Sequence, residues 1–365
     1  MKKKKLIIFM PSIEGGGVEK NLYIVSNYLI NKIYDISLIT VTKSSKLRFN
    51  KKIKFISPKN YFWENLNKKI KYIVCLYLLF TKLLFNRNVV IFCFQANVYC
   101  TLLCKIFGVR IVIRSNSSPS GWSKNFIKKM IFKKLLGLAD TIIVNSIDFK
   151  NELKKKLNLN SVCIYNPLNK DEVVFQSKKN KKIIFKKKNV LRIINVARFT
   201  DQKDHITLLK AANILKEKIR FELNIVGRGV NKKIMENYIF KNGLKNFVKI
   251  IKFTNNPYPL IKQADLFVLT SKFEGLPNVL LESQTLKKFV ISSNCPTGPR
   301  EILDNGTNGL LFKIGDYKDL SKKIIYYNSN KLKLKKMINM GYKRLDRFDL
   351  KNNLQKYFLI LDKFL

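Results

Sequence analysis

Two carboxylates, Glu274 and Glu282, bracket the segment EGLPNVLLE, and two basic residues, Arg198 and Lys203, lie in ARFTDQK about seventy residues earlier. These types in this arrangement suit one chemistry. Cations can neutralise a leaving diphosphate, with Arg as a planar fork and Lys as a point charge, while carboxylates grip sugar and ribose hydroxyls. In a chain with 71 Lys and Arg, spacing alone says little about any two of them. What distinguishes Arg198 and Lys203 is their place after the apolar run IINVA, on a loop before a helix.

Glu274 likewise follows an apolar run, LFVLTS, in a loop holding Gly275 and Leu276, and Pro277 suits the first turn of the next helix. Asn278 comes next, and Glu282 falls in that helix's second turn, among Val279, Leu280, Leu281 and Leu286. A carboxylate there either faces solvent or is buried with hydroxyl or cationic partners, because burial without them is costly. A third loop, PSIEGGGVE, joins the first apolar run to a helical pattern beginning near Val18. Gly16 and Gly17 there allow close backbone approach and N–H groups aimed at a phosphate, although a plain strand-to-helix turn would look the same. The segment NCPTGPREILDNGTNG, residues 294–309, makes a rigid loop after another strand. His205 is the only histidine, so schemes needing two are excluded, and no P-loop or G-x-G-x-x-G follows the first strand.

The elements that must carry these loops alternate. Short apolar strands are expected at Leu6–Phe9, Ile36–Val41, Val89–Phe94, Ile111–Ile113, Thr141–Val144 and Val162–Tyr165, with helices between. A polar, lysine-dense stretch follows, and the pattern restarts at LRIINVARF, FELNIVG, VKIIKF, LFVLTS, FVISS and GLLF. At 365 residues the chain exceeds the roughly 250–300 at which one core stops growing. Two α/β, Rossmann-like domains facing across a cleft are expected, with ligands at the carboxyl ends of parallel strands. The boundaries are 1–170 for an acceptor-binding domain, 171–189 for a linker and 190–345 for a nucleotide-sugar-binding domain. A C-terminal helix, 346–365, is expected to pack back on the first domain.

With 24 Asp and Glu against the 71 basic residues, the formal charge is +47. Lysine is spread through the whole chain without a basic stripe interleaved with aromatics, so nucleic acid is not the expected partner. A lysine-rich compositional bias, shared with Ile, Asn, Phe and Tyr, accounts for much of the charge, and an anionic membrane surface is the expected partner, since each Lys or Arg beside one contributes about 1 kcal/mol. The stretch Tyr61–Phe85 admits two readings, a core helix or an in-plane membrane helix with Lys68, Lys69, Lys71 and Lys82 at the interface and Tyr61, Phe62 and Trp63 as anchors. Its uninterrupted apolar run, Tyr72–Phe80, is too short to span a bilayer. The start MKKKKLIIFMPS reads as a first strand rather than a signal peptide, its apolar run being short. Six cysteines without C-x-x-C pairs read as reduced, mostly buried thiols.

Taken together, EGGGVEK, YNP at 165–167, ARFTDQKDH, NIVGRG, ADLFVLTSKFEGLPNVLLES and CPTGPREILDNGTNGLLF resemble the family 4 retaining glycosyltransferases of the GT-B fold, bacterial lipid-linked oligosaccharide, O-antigen and capsule enzymes in particular. The resemblance implies a hexosyltransferase that moves a hexose or N-acetylhexosamine from a UDP-sugar to a polyprenyl-diphosphate-linked or other cell-surface glycan, forming an α linkage. It implies that Glu274 holds sugar hydroxyls, Glu282 the ribose, and Arg198 with Lys203 the diphosphate, with Gly16, Gly17, Gly275, Leu276 and Asn278 completing the donor site. No metal or other cofactor is expected, and the place is the cytoplasmic face of the membrane. Relatives carry a first-domain histidine that this chain lacks; Arg114 and Asn116 of IRSNSSP stand in a comparable loop as acceptor-side contacts. The alternatives are a UDP-sugar epimerase of the same fold, or a non-catalytic basic protein bound to membrane or nucleic acid.

Overall fold

The computed structural model describes residues 5–116, 126–179 and 183–365. It divides into two compact units, the first made of residues 1–167 and 350–365, the second of residues 168–349. The lysine run at the start, Ser117–Pro119 of the IRSNSSP loop and residues 180–182 lie outside the described residues.

Unit 1 runs β1 (Lys5–Phe9), α1 (Gly17–Leu29), β2 (Ile36–Ile39), β3 (Lys54–Ile56), α2 (Lys68–Phe85), β4 (Val89–Cys93), α3 (Asn97–Ile106), β5 (Arg110–Arg114), α4 (Phe126–Gly137), β6 (Thr141–Val144), α5 (Ile147–Leu157) and β7 (Val162–Cys163). The strands form one parallel sheet ordered β3-β2-β1-β4-β5-β6-β7. Alternation decides its two faces, because successive side chains on a strand point opposite ways. Ile7, Phe9, Ile91, Cys93, Ile111 and Ile113 meet α2, α3, α4 and α5 on one side. Leu6, Ile8, Val90, Phe92 and Val112 meet α1 on the other.

Unit 2 runs α6 (Lys170–Gln176), β8 (Leu191–Val196), α7 (His205–Leu215), β9 (Phe221–Gly227), α8 (Lys232–Lys241), β10 (Val248–Lys252), α9 (Tyr258–Gln263), β11 (Leu266–Leu269), α10 (Asn278–Thr285), β12 (Phe289–Ser293), α11 (Pro299–Ile302), β13 (Leu310–Phe312), α12 (Tyr317–Ser329) and α13 (Lys331–Lys343). Its parallel sheet is ordered β10-β9-β8-β11-β12-β13. The final helix, α14 (Leu350–Asp362), returns to unit 1, where Leu354, Tyr357 and Leu361 are buried beside α1. Both units are therefore doubly wound parallel sheets of Rossmann type, as the alternating pattern requires.

The lysine-dense stretch expected as a linker has structure of its own. It contains most of α6, and Ile184 and Phe185 are buried in unit 2. The amides of Lys186 and Lys187 donate to Glu222, and Asn224 donates to the carbonyl of Ile184. Composition hid this, because a few buried residues, Val173, Ser177, Ile184 and Phe185, suffice to anchor a segment that is otherwise rich in lysine.

Helix α2 satisfies the core reading on one side. Cys75, Leu79 and Leu83, four residues apart, are buried against the sheet. Lys71, placed at a membrane interface on the sequence, is buried instead, with Nζ 3.9 Å from Glu14. Trp63 packs against the same core rather than standing free as an anchor. Among the described residues, no helix is long and apolar enough to cross a membrane.

Candidate functional site

Strands β8 and β11 are parallel neighbours, so the loops leaving their carboxyl ends emerge side by side. Four hydrogen bonds stitch them together. Thr270 Oγ1 donates to the carbonyl of Lys203 (2.8 Å), and the Lys272 amide donates to the carbonyl of Gln202 (2.8 Å). Gln202 Nε2 donates to the carbonyl of Phe273 (2.9 Å), and Lys203 Nζ donates to Glu274 Oε1 (2.5 Å). The two residues of opposite charge singled out 71 positions apart thus form one ion pair, with side-chain exposures of 14% and 8%. Arg198 is exposed on the β8 loop and is not part of that pair.

The Glu274 loop is held from its other side by the loop after β12. Thr297, in the left-handed region at φ +62°, donates its hydroxyl to the carbonyl of Glu274 (2.5 Å). Gly298 follows at φ +78°, and a Cβ there would lie 2.1 Å from the carbonyl oxygen of Gly275. Only glycine allows that approach. Gly275 and Leu276 are buried and Asn278 is half-buried at the start of α10. The NIVGRG segment plays a similar part behind Arg198. A Cβ on Gly227 would meet the carbonyl of Ala197, one on Gly229 that of Phe199, and Arg228 lies over the Phe253 ring.

Glu282 does not face solvent. It is 6% exposed, and Tyr258 at the start of α9 donates its hydroxyl to Oε1 (3.2 Å). A cavity of about 420 Å³ lies in the same region of unit 2, lined by Pro259 and Leu260 of α9, Phe253, Thr254, Asn256, residues of β10 and Ile184. His205, at the start of α7, sets Nε2 3.1 Å from Asn195 Oδ1 and rests edge-on against Phe199. Asn195 spends its amide on the carbonyl of Val268, so its oxygen accepts and the imidazole donates through Nε2. Burial, assisted by the Lys203 charge, holds the imidazole down at about 4, and it is neutral at physiological pH. Burial and the Glu274 charge push the Cys295 thiol up to about 12, which leaves it protonated and rules it out as a thiolate nucleophile.

Over residues 176–344 the chain matches the family model described as glycosyl transferases group 1. The match covers Arg198, Lys203, Glu274 and Glu282. The chain is 31% identical over 219 residues to an uncharacterized glycosyltransferase of Methanocaldococcus jannaschii, covering 55% of this chain and 53% of that one. It is 30% identical over 226 residues to the N-acetylgalactosamine-N,N'-diacetylbacillosaminyl-diphospho-undecaprenol 4-alpha-N-acetylgalactosaminyltransferase of Campylobacter jejuni, covering 59% and 60%. The chain thus spans little more than half the length of these curated relatives. Anabaena HepE, solved with UDP-glucose, aligns over 99% of this chain and 100% of its own with a TM-score of 0.79 at 17% identity. That likeness shows the fold, GT-B, in which both units are Rossmann-like.

The unit 1 candidates sit at the carboxyl edge of the first sheet. The glycine loop is held by the Ser12 amide donating to Gln95 and the Ile13 amide to Thr42. Gly15 takes the left-handed conformation, Gly16 is extended, and Gly17 opens α1. Arg114 is not placed to touch an acceptor. Its exposure is 0%; Nε donates to Tyr357 Oη (2.8 Å), one amino group to Asn166 (2.6 Å) and the other to Asn116. Asn116 in turn donates to the carbonyl of Phe94. Thr297, Gly298, Tyr258, Asn195 and Gly227 were missed as site residues, although CPTGPRE and NIVGRG already marked two of the loops. Among the described residues no group of three or more His, Cys, Asp or Glu is arranged to hold a metal.

Proposed function

We propose that the chain is a retaining glycosyltransferase that moves a hexose or N-acetylhexosamine from a UDP-sugar to a polyprenyl-diphosphate-linked glycan, forming an α linkage, at the cytoplasmic face of a membrane. The observation that carries this reading is the stitched pair of loops that sets a cation, Lys203, against a carboxylate, Glu274, at the carboxyl ends of β8 and β11. Glu274 accepts hydrogen bonds from sugar hydroxyls, and Gly275, Leu276 and Asn278 shape the floor of that subsite. Glu282, buried with Tyr258 as its partner, takes the ribose. Arg198 and Lys203 bind the diphosphate, and the glycine loop at Gly16 and Gly17 offers backbone N–H groups to phosphate or acceptor.

In the reaction, the bond from the anomeric carbon to the β-phosphate oxygen breaks and the acceptor oxygen bonds to the same face of that carbon. The proton of the acceptor hydroxyl passes to the leaving phosphate oxygen, so no side-chain base is required. Arg198 and Lys203 stabilise the charge that builds on the leaving diphosphate, the kind of interaction that lowers a barrier most. Arg114 supports the acceptor-side loop through Asn116 and Asn166 instead of contacting the acceptor. The Campylobacter relative is named for transfer onto an undecaprenol-diphosphate glycan, which supports the acceptor class.

The test is nucleotide release from a panel of UDP- and GDP-sugars, with and without a polyprenyl-diphosphate-linked sugar, followed by analysis of the product linkage. Acceptor-dependent UDP release with one donor and an α-linked product is the expected result. Donor turnover to an isomeric UDP-sugar without acceptor would replace transferase by epimerase, and folded protein that binds no nucleotide would overturn the reading.

A further inference from the structure

Helices α2, α3 and α4 lie side by side on one face of the unit 1 sheet, and α2 is apolar on two opposite sides. Cys75, Leu79 and Leu83 point into the core. Ile73 (66% exposed), Tyr77 (65%), Phe80 and Leu84, spaced 4, 3 and 4 residues apart, form a second stripe that points away from it. Its neighbour α3 adds Tyr99, Leu102 and Ile106 (70%), and α4 adds Met130 and Ile131, all exposed. Phe80 packs edge-on against Phe107, just past α3, which ties the two helices together. Single exposed apolar residues need no explanation, but nine large ones on three adjoining helices do.

Charge decides what covers them. The three helices contain no Asp or Glu, while Lys68, Lys69, Lys82, Lys133 and Lys134 are exposed along them. A second copy of the chain would bring the same lysines against these and repel. An apolar surface edged by cations, with aromatic side chains among the apolar ones, matches the boundary of an anionic bilayer, where apolar groups reach the acyl region and lysines stay at the headgroups.

We infer that the outer face of α2, α3 and α4 is the surface by which this chain docks on an anionic lipid bilayer. This deepens the membrane part of the proposed function, and rests on that reading for the purpose the docking serves. The bilayer is engaged by the side of a folded layer, with the opposite stripe of α2 kept in the core. Substituting Leu79 would therefore unfold unit 1 and say nothing about lipid, whereas Ile73, Tyr77 and Leu84 can be changed from outside.

The experiment is flotation of the full chain with phosphatidylcholine vesicles, with and without phosphatidylglycerol, at low and high salt. Wild-type protein is expected to float with the phosphatidylglycerol vesicles and to release at high salt. The triple variant Ile73→Ser, Tyr77→Ser, Leu84→Ser is expected to bind at least about tenfold more weakly, while keeping its thermal midpoint and its UDP affinity. Lys68→Gln with Lys69→Gln and Lys82→Gln is expected to lose the preference for phosphatidylglycerol. The inference is overturned if wild-type protein ignores both vesicles, or if the triple variant binds them undiminished. It is also overturned if sedimentation shows a dimer that the triple variant breaks with vesicle binding intact. Transfer to a short-chain, water-soluble acceptor separates the two readings: transfer without flotation removes the docking face alone, and flotation without transfer removes the reaction alone.

Discussion

Replacing Glu274 with Gln should push two measurements in opposite directions. The variant keeps the size of the side chain but turns one acceptor oxygen into a donor and removes the charge, and with it the ion pair to Lys203. Hydrogen bonds involving a charged partner contribute about 1.5–3 kcal/mol. If those that Glu274 accepts from the sugar hydroxyls strengthen in the transition state, kcat/KM falls about 10- to 150-fold. The pair itself has a separate consequence. Side-chain exposures of 14% and 8% place it between exposed pairs, worth about 0.2–1 kcal/mol, and buried ones whose disruption costs about 3–5 kcal/mol. If UDP takes Lys203 as proposed, it draws the ammonium at least partly away from Glu274. Taking about 1 kcal/mol for that competition, UDP alone should bind Glu274→Gln roughly fivefold tighter than wild type. Titration calorimetry with UDP, beside steady-state transfer, measures both quantities. Unchanged turnover would refute the role of Glu274 in the site, and weaker UDP binding in a variant of unaltered thermal midpoint would refute the competition.

Three further outcomes are expected. His205 is held at about 4 in the folded chain against 6.5 when free, so the unfolded state binds more protons between those values and stability is lost as pH falls through that window. The loss amounts to about 3 kcal/mol, is absent in His205→Gln, and is read by hydrogen exchange of peptides from β8 and α7. Gly298→Ala should cost about 2–4 kcal/mol and most of the activity, because its Cβ meets the Gly275 carbonyl; Gly243→Ala, at φ +64° with open space around it, should cost about 1 kcal/mol and leave turnover intact. Tyr357→Phe leaves the Arg114 Nε donor buried and unpaired, at a cost of about 1–3 kcal/mol to unit 1. Hydrogen exchange of peptides from β5 and α14 in a urea series reports that unit.

The strands were legible where apolar runs were dense. Thr141–Val144, Phe221–Gly227 and Phe289–Ser293 match their expected limits, their buried apolar residues standing out from the polar segments on either side. Several others end two or three residues early, at Ile39, Val196 and Leu269; after Val196 and Leu269 the chain leaves the ladder to form the loops that carry Arg198, Lys203 and Glu274. Strand β3 was missed: three residues, one of them a lysine, give no pattern to read. Helix α2 could not be resolved between core and surface by periodicity, since it is apolar on both sides. The types and loops of Arg198, Lys203, Glu274 and Glu282 were readable, but the Lys203–Glu274 contact was not, because it depends on β8 and β11 being neighbours in the sheet. The burial of Glu282 depends in the same way on Tyr258, which nothing in the sequence ties to it.

Because unit 1 is closed by α14, its folding is out of step with synthesis. All of unit 2 has left the ribosome before Tyr357 and Leu361 emerge to fill the first unit's core and to meet Arg114. The usual order, amino-terminal domain first, is thereby inverted at its last step. Unit 2 precedes α14 in the chain, while unit 1 waits for it with one side of its sheet incompletely covered. A chain that stops a few residues short would thus lose the domain at its opposite end.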